Sequence, residues 1–235
     1  MSAPPESAAV AAVTHGDRTW FTRYPGVEGS PHSAVTQLIQ AVWQSEPAMA
    51  RAILRRRIRT TAALTPMDRG MVKTAAQRVR ELEVVTVEPE WRQLSFVDVY
   101  QPIELSALML EVARDPMALA HRLAGESRRE GLLRERDRPV GCVLVGAGGE
   151  LLAWAHNTNR LNRTLHAEVN LVQAWWAKEA RPLPSGSRLY TTLEPCRMCQ
   201  GMIRHCGPGT AVFYAKADGM PRVPGESPPM VLQPR

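Results

Sequence analysis

Cysteine is scarce in this chain, four residues in 235, and four cannot make the disulfide framework by which small secreted domains compensate for a thin core. Long apolar runs are missing as well. No stretch approaches the roughly 20 apolar residues with which a helix crosses a bilayer, so no membrane-spanning helix is expected. A secretory signal needs basic residues ahead of an uninterrupted apolar stretch, and Pro4, Pro5 and Glu6 stand where those residues would be. These absences together predict a protein of the reducing cytoplasm with no membrane partner. The arginine-bearing stretch from Arg51 to Arg59 matches no recognised RNA-binding motif.

What the chain has is 44% hydrophobic content, a net charge of +6, and a length that suits one large domain or two modest ones. Two are predicted. Residues 1–32, rich in Ala, Pro, Ser and Gly and without apolar periodicity, read as a disordered lead. Residues 33–101 read as a mainly helical N-terminal domain. Val35, Leu38, Ile39, Val42 and Trp43 keep a helical spacing, and Ser45 with Pro47 marks a second helix running through Arg59. Thr65, Pro66 and Asp68 form a capping box ahead of a third helix. Glu83 to Val87 and Phe96 to Tyr100 read as short strands. A boundary near residue 102 opens a second domain, 102–217, and residues 218–235 form a proline-rich tail.

Within the second predicted helix, Arg51, Arg55 and Arg59 share one face. That face has two readings, a surface for nucleic-acid phosphates or a solvated basic face.

The densest chemistry lies in two short motifs, His166-Ala167-Glu168 and Pro195-Cys196-Arg197-Met198-Cys199. They offer one imidazole, two thiols and one carboxylate. A catalytic zinc takes three protein ligands and leaves its fourth position to water, whereas a structural zinc is closed by four. His166, Cys196 and Cys199 supply three. Glu168 is a poor fourth ligand beside two thiolates but is well placed to move protons as general acid/base. His205 or Cys206 would close a structural site only if the helix after Cys199 broke, because seven helical residues span about 10.5 Å. A redox Cys-x-x-Cys is the remaining alternative. Cys142 reads as a small buried hydrophobe in a strand.

Apolar runs at Val140 to Val145 and Leu151 to Ala155, joined by Gly146-Ala147-Gly148-Gly149, predict a hairpin. Arg188 to Leu193 and Thr210 to Ala215 predict two more strands, with a short helix from Cys196 to His205 between them. The helix headed by His166-Ala167-Glu168 completes the order ββαβαβ, and both motifs fall at strand-to-helix junctions. Helix starts suit thiolates, because their unpaired N–H groups and dipole favour negative charge.

His-x-Glu followed by Pro-Cys-x-x-Cys is the signature of zinc-dependent base deaminases. The segment from about Pro139 to Lys216 resembles the cytidine deaminase-like superfamily, and most closely its tRNA-adenosine and guanine deaminase branch. The residues that carry the resemblance are Pro139-Val140-Gly141-Cys142-Val143-Leu144-Val145, Asn157, His166-Ala167-Glu168, Thr192-Leu193-Glu194-Pro195-Cys196-Arg197-Met198-Cys199 and Val212-Phe213-Tyr214. The resemblance implies an α/β fold, a three-layer α/β/α sandwich with one zinc ion per chain bridging two helix starts. It also implies a homodimer and hydrolytic deamination of an amino-substituted nucleobase, with a tRNA-adenosine-type substrate ahead of a free purine or a cytosine compound. Asn157 aligns with an asparagine that binds the base, its other reading being a turn-forming residue. Ala167 offers a backbone N–H to the base by the same resemblance. The tail departs from the family, being too short to supply the strand and helix that many members add. The competing function is an idle deaminase fold serving as an RNA-binding or scaffold subunit.

Overall fold

The structure, a computed structural model, describes residues 8–76, 78–98, 100–133, 137–217 and 232–234. It opens with β1 (Ala9–His15) and β2 (Arg18–Tyr24), an antiparallel hairpin turned at Gly16-Asp17, where Gly16 takes a φ of +64°. Then follow α1 (Ala34–Ser45), α2 (Ala50–Leu54), β3 (Arg57–Thr60), α3 (Pro66–Ala75), β4 (Arg78–Arg80) and β5 (Arg92–Gln93). The five strands make one sheet in the order β4-β3-β1-β2-β5.

This half of the chain corrects two expectations. Residues 9–24 are paired strands where a disordered lead was expected. Their signal is weak because β1 is buried on both faces. Ala11 and Val13 join the main apolar cluster while Val10 and Ala12 join a second one with Phe21, so no polar alternation marks the strand, and alanine is a poor strand former. The region 33–101 is likewise mixed rather than mainly helical. The helix expected to reach Arg59 stops at Leu54, and the chain extends so that Ile58 pairs with Val13 and is fully buried. Tertiary pairing overrides local helical spacing there. Glu83 to Val87 and Phe96 to Tyr100 are not strands among the described residues.

The second half contains α4 (Ala107–Val112), α5 (Pro116–Arg129), β6 (Gly141–Val145), β7 (Leu151–His156), α6 (Ala167–Glu179), β8 (Arg188–Leu193), α7 (Arg197–Cys206), β9 (Ala211–Lys216) and β10 (Leu232–Pro234). Its sheet runs β10-β9-β8-β6-β7; β6 is antiparallel to β7 and β8, while β8, β9 and β10 are mutually parallel. Alternation along β6 divides the layers. Val143 and Val145 pack with Leu119, Ala120 and Leu123 of α5, whereas Cys142 and Leu144 face the cluster built with α6 and α7. The result is a three-layer α/β/α sandwich with the element order ββαβαβ read from sequence. The tail does supply a strand, β10, parallel to β9; residues 218–231 lie outside the described residues. No helix among the described residues is long and apolar enough to cross a membrane.

The two halves share one core. The cluster that contains Leu144, Leu171 and Met202 continues through Leu38, Ile39, Met67 and Met71 to Ala11 and Trp20 of the first sheet. A buried amide pair joins α1 to α6, with Gln173 donating to Gln40 at 2.9 Å and Gln40 donating back at 3.3 Å. Asp68, 2% exposed, ties the starts of α1 and α3 together. Its carboxylate accepts from Ser33 Oγ and from Thr36 Oγ1 (3.1 Å), Thr65 N (2.9 Å) and Thr65 Oγ1 (2.7 Å).

Helices α3 and α7 touch backbone to backbone. A Cβ on Gly70 would stand 2.5 Å from the carbonyl oxygen of Arg197, and one on Gly201 would stand 2.5 Å from that of Pro66. The contact pairs 70–197 and 66–201 are one turn apart on each helix, so the helices run antiparallel. Gly201→Ala is expected to force them apart and cost about 1–3 kcal/mol, read as a lower urea midpoint at unchanged m-value.

Candidate active site

Strand β7 hands the chain to a loop that ends at His166, and β8 hands it to Cys196. His166 is the N-cap residue of α6 and Cys196 that of α7; both have extended backbones, and neither side chain caps its own helix. Both side chains are therefore free to turn toward each other. Cys199 follows one turn into α7. Cys196 Sγ and Cys199 Sγ each lie 3.6 Å from His166 Nδ1, and the two sulfurs are 3.6 Å apart. A tetrahedral zinc with its usual bond lengths requires about 3.8 Å between sulfurs and about 3.6 Å from sulfur to nitrogen. The three donors thus fit a zinc ion without rearrangement, and their nitrogen and sulfur set is one that zinc favours.

Glu168 is 3% exposed in the first turn of α6. One carboxylate oxygen is 3.3 Å from Cys199 Sγ, and the other accepts from Thr191 Oγ1 at 3.3 Å. Burial raises its pKa above the ordinary carboxylate range. The hydrogen bond from the Cys199 thiol, joined by His166, holds the Cys196 thiol well below its usual value. Burial works against protonation of His166, yet the sulfur of Cys196 and the carboxylates of Glu168 and Asp137 carry it up to about 9. Protons and a divalent cation compete for these atoms, so metal binding releases protons.

The cluster opens on a cavity of about 260 Å³ lined by Asp137, Asn157, Asn159, His166, Glu168 and Cys196, among others. That is just below the range of about 300–1,000 Å³ for drug-sized ligands, a scale for one heterocycle. Asn157 is 3% exposed. Its amide spans the strand approach, with Nδ2 donating to Arg138 O at 3.0 Å and Oδ1 accepting from Val140 N at 2.9 Å. Each end keeps one hydrogen-bonding position. Ala167, the first residue of α6, is fully buried between His166 and Glu168.

Two further asparagines serve this site, and Asn170 is the one that sequence reasoning passed over. Asn159, 8% exposed, lines the cavity and presents a buried Oδ1 that has no partner among the described residues. Asn170 donates to His156 O (2.8 Å) and Thr158 Oγ1 (3.0 Å), fastening the loop to α6. An uncharged amide inside an otherwise apolar helix pattern was the signal available for it. Cys142 and Cys206 stay apart from the cluster, the first buried in β6, the second at the end of an α7 that continues unbroken.

The arginines do not share a helix face. Arg51 lies in α2, Arg55 is its C-cap, and Arg59 sits in β3 with its guanidinium 5.2 Å from the Trp91 ring centroid. The helical spacing that would align them ends with α2.

Comparison with known proteins shows what this part of the chain resembles. Residues 131–221 match the model of the Bd3614-like deaminases. A tRNA-specific adenosine deaminase of Agrobacterium fabrum is 42% identical over 81 residues, covering 33% of this chain and 51% of the relative. A tRNA(Ile)-lysidine synthase of Deinococcus deserti is 36% identical over 96 residues, covering 38% of this chain and 18% of the relative. The chain therefore spans about half of the first relative and under a fifth of the second. Among solved structures, the guanine deaminase of Bacillus subtilis aligns at 31% identity over 43% of this chain and 62% of its own, with a TM-score of 0.38.

Replacing Asn157 by Ala should leave Val140 N–H and Arg138 C=O without their partner and lower stability by about 1–3 kcal/mol. Chemical unfolding measures the loss, and Asn157→Asp, which keeps the acceptor, should recover part of it.

Proposed function

We propose that this chain, which belongs through residues 131–221 to the cytidine deaminase-like superfamily and its tRNA deaminase branch, removes an amino group from a nucleobase by hydrolysis and releases ammonia. The observation that carries the reading is the triangle of His166, Cys196 and Cys199 at zinc spacing with a buried carboxylate, Glu168, beside it at the floor of a base-sized cavity.

In this reading His166, Cys196 and Cys199 hold zinc. Zinc, when bound, lowers the pKa of water to near neutrality and so supplies the nucleophile at physiological pH. Glu168 accepts a proton from the attacking water and delivers it to the ring nitrogen next to the amino-bearing carbon, to which the oxygen adds. The same carboxylate later carries a proton to the departing nitrogen, which leaves as ammonia while a carbonyl forms. Thr191, donating to Glu168, orients the carboxylate. Asn157, already aimed by Arg138 and Val140, binds an edge of the base with its spare hydrogen-bonding positions, and the backbone N–H of Ala167 receives the base from the helix side. Asn159 presents to the same space a further oxygen that is unpartnered among the described residues.

The substrate proposed is adenosine in tRNA, converted to inosine, ahead of a free purine or a cytosine compound. Relatives named as tRNA-specific adenosine deaminases support that order. A homodimer in a reducing cytoplasm belongs to the same proposal; the four cysteines are all free thiols.

Two variants separate the chemistry from the metal. Glu168→Ala is expected to lose ammonia release from bulk tRNA by at least about a hundredfold while keeping one zinc per chain. Cys199→Ser is expected to lose the zinc as well, measured by elemental analysis after gel filtration. Zinc bound by a wild-type protein that releases no ammonia from bases, nucleosides, nucleotides or tRNA would favour the scaffold subunit instead.

A further inference from the structure

We infer that β3 and β4 carry an arginine ladder that grips the phosphate backbone of an RNA and leads it to the cavity. The inference rests on the deaminase reading for what happens at the cavity, and on the first sheet alone for the grip.

Strands β3 and β4 pair in parallel, and the register sets Arg57 beside Arg78 and Arg59 beside Arg80. Between them Ile58 is buried in the main core and Val79 packs against it. Because side chains alternate along a strand, all four arginines point to the other face, away from the core. Like charges placed directly across two strands are destabilising, and here the sequence places two such pairs in succession. Sheet stability gives no reason for that arrangement. A polyanion does, because it neutralises both members of each pair.

The four are not equally occupied. Arg80 has Glu83 at 3.6 Å, and Arg59 lies over the Trp91 ring. Arg57 and Arg78 are exposed, and among the described residues neither has an ion-pair partner. Arg55 and Arg56, also exposed, extend the basic edge toward the end of α2.

The ladder starts from the end of α3 that runs past the start of α7. Since α3 runs antiparallel to α7 with Gly70 against Arg197, the last five residues of α3 carry on about 7.5 Å past the start of α7. That start is where Cys196 sits. Strand β4 begins three residues after α3 ends, so Arg78 leaves from the end of α3 that overhangs the cluster. Charge complementarity and this placement favour a polynucleotide over an acidic protein, whose carboxylates do not repeat at a fixed spacing.

The test is the binding of bulk tRNA to the full chain by fluorescence anisotropy across a series of salt concentrations. Each phosphate contact removed should lower the slope of log affinity against log salt by about one. The double variant Arg57→Gln/Arg78→Gln is therefore expected to lower it by about two and to weaken binding on the order of tenfold at low salt. The double variant Arg57→Lys/Arg78→Lys keeps the charge and should retain most of the binding; its loss of binding would overturn a phosphate grip. Unchanged affinity and slope in the glutamine variant would overturn the ladder, as would equal competition by polyglutamate of matched charge. The unfolding midpoint of the glutamine variant should hold or rise, since a like-charge pair has been removed. Failure of the ladder is distinct from failure of the deaminase reading. Ammonia release from tRNA with slope-neutral variants sinks only the ladder, and ladder-dependent binding without ammonia sinks only the deaminase.

Discussion

Three donor atoms from two different helices must meet within 3.6 Å of one another, and nearly everything else in the molecule can be understood as holding them there. Neither helix start fixes its own ligand, since neither His166 nor Cys196 makes a cap hydrogen bond. The distances are set from outside, by the strands that deliver each chain segment and by the surfaces that stop each helix from sliding. Strand β8 delivers Cys196, and β6 joins β8 to β7 so that the two approaches stay in register.

The first half of the chain acts on both approaches. On one side α3 presses its backbone against α7 through Gly70 and Gly201, a contact that side chains would have kept several ångströms wider. On the other, the Tyr100 hydroxyl accepts from His156 N at the end of β7, and Asn162 donates to Gln40 O of α1. The Gln40–Gln173 pair fixes α6 from the same helix. These buried polar contacts contribute little net free energy, but a shifted register would leave them unpaired at a cost. They therefore specify one arrangement of the helices around the cluster. The apolar core that crosses the boundary near residue 102 is the continuous medium in which that arrangement sits.

The ββαβαβ order was legible because each element in the second half announces itself locally. Glycines mark the hairpin turn, apolar runs of strand length mark β6 through β9, and the two motifs mark helix starts. The capping box at Thr65 and Asp68 was legible for the same reason, being a contact between residues three apart. The failures share a different cause. Strand β1 shows no alternation because both of its faces are covered, β3 is a strand only because β1 lies beside it, and β10 exists through pairing with β9. Such pairings join residues distant along the chain, which periodicity over a short window does not register.

The sequence by itself determined which donor groups the candidate site offers, because the side-chain types and their spacing within His166-Ala167-Glu168 and Cys196 to Cys199 follow from covalent proximity at a helix start. It also determined the element order of the half that carries them. Only the tertiary structure decided that the first half is a strand-bearing wall rather than a separate helical domain. It alone moved the arginine pattern from a helix face to facing strands, and it alone brought Asn157 and Asn159 to the rim of one cavity. The physical reason is that hydrogen bonds across a sheet and close contact between glycine-bearing helices depend on partners that no local stretch of the chain contains.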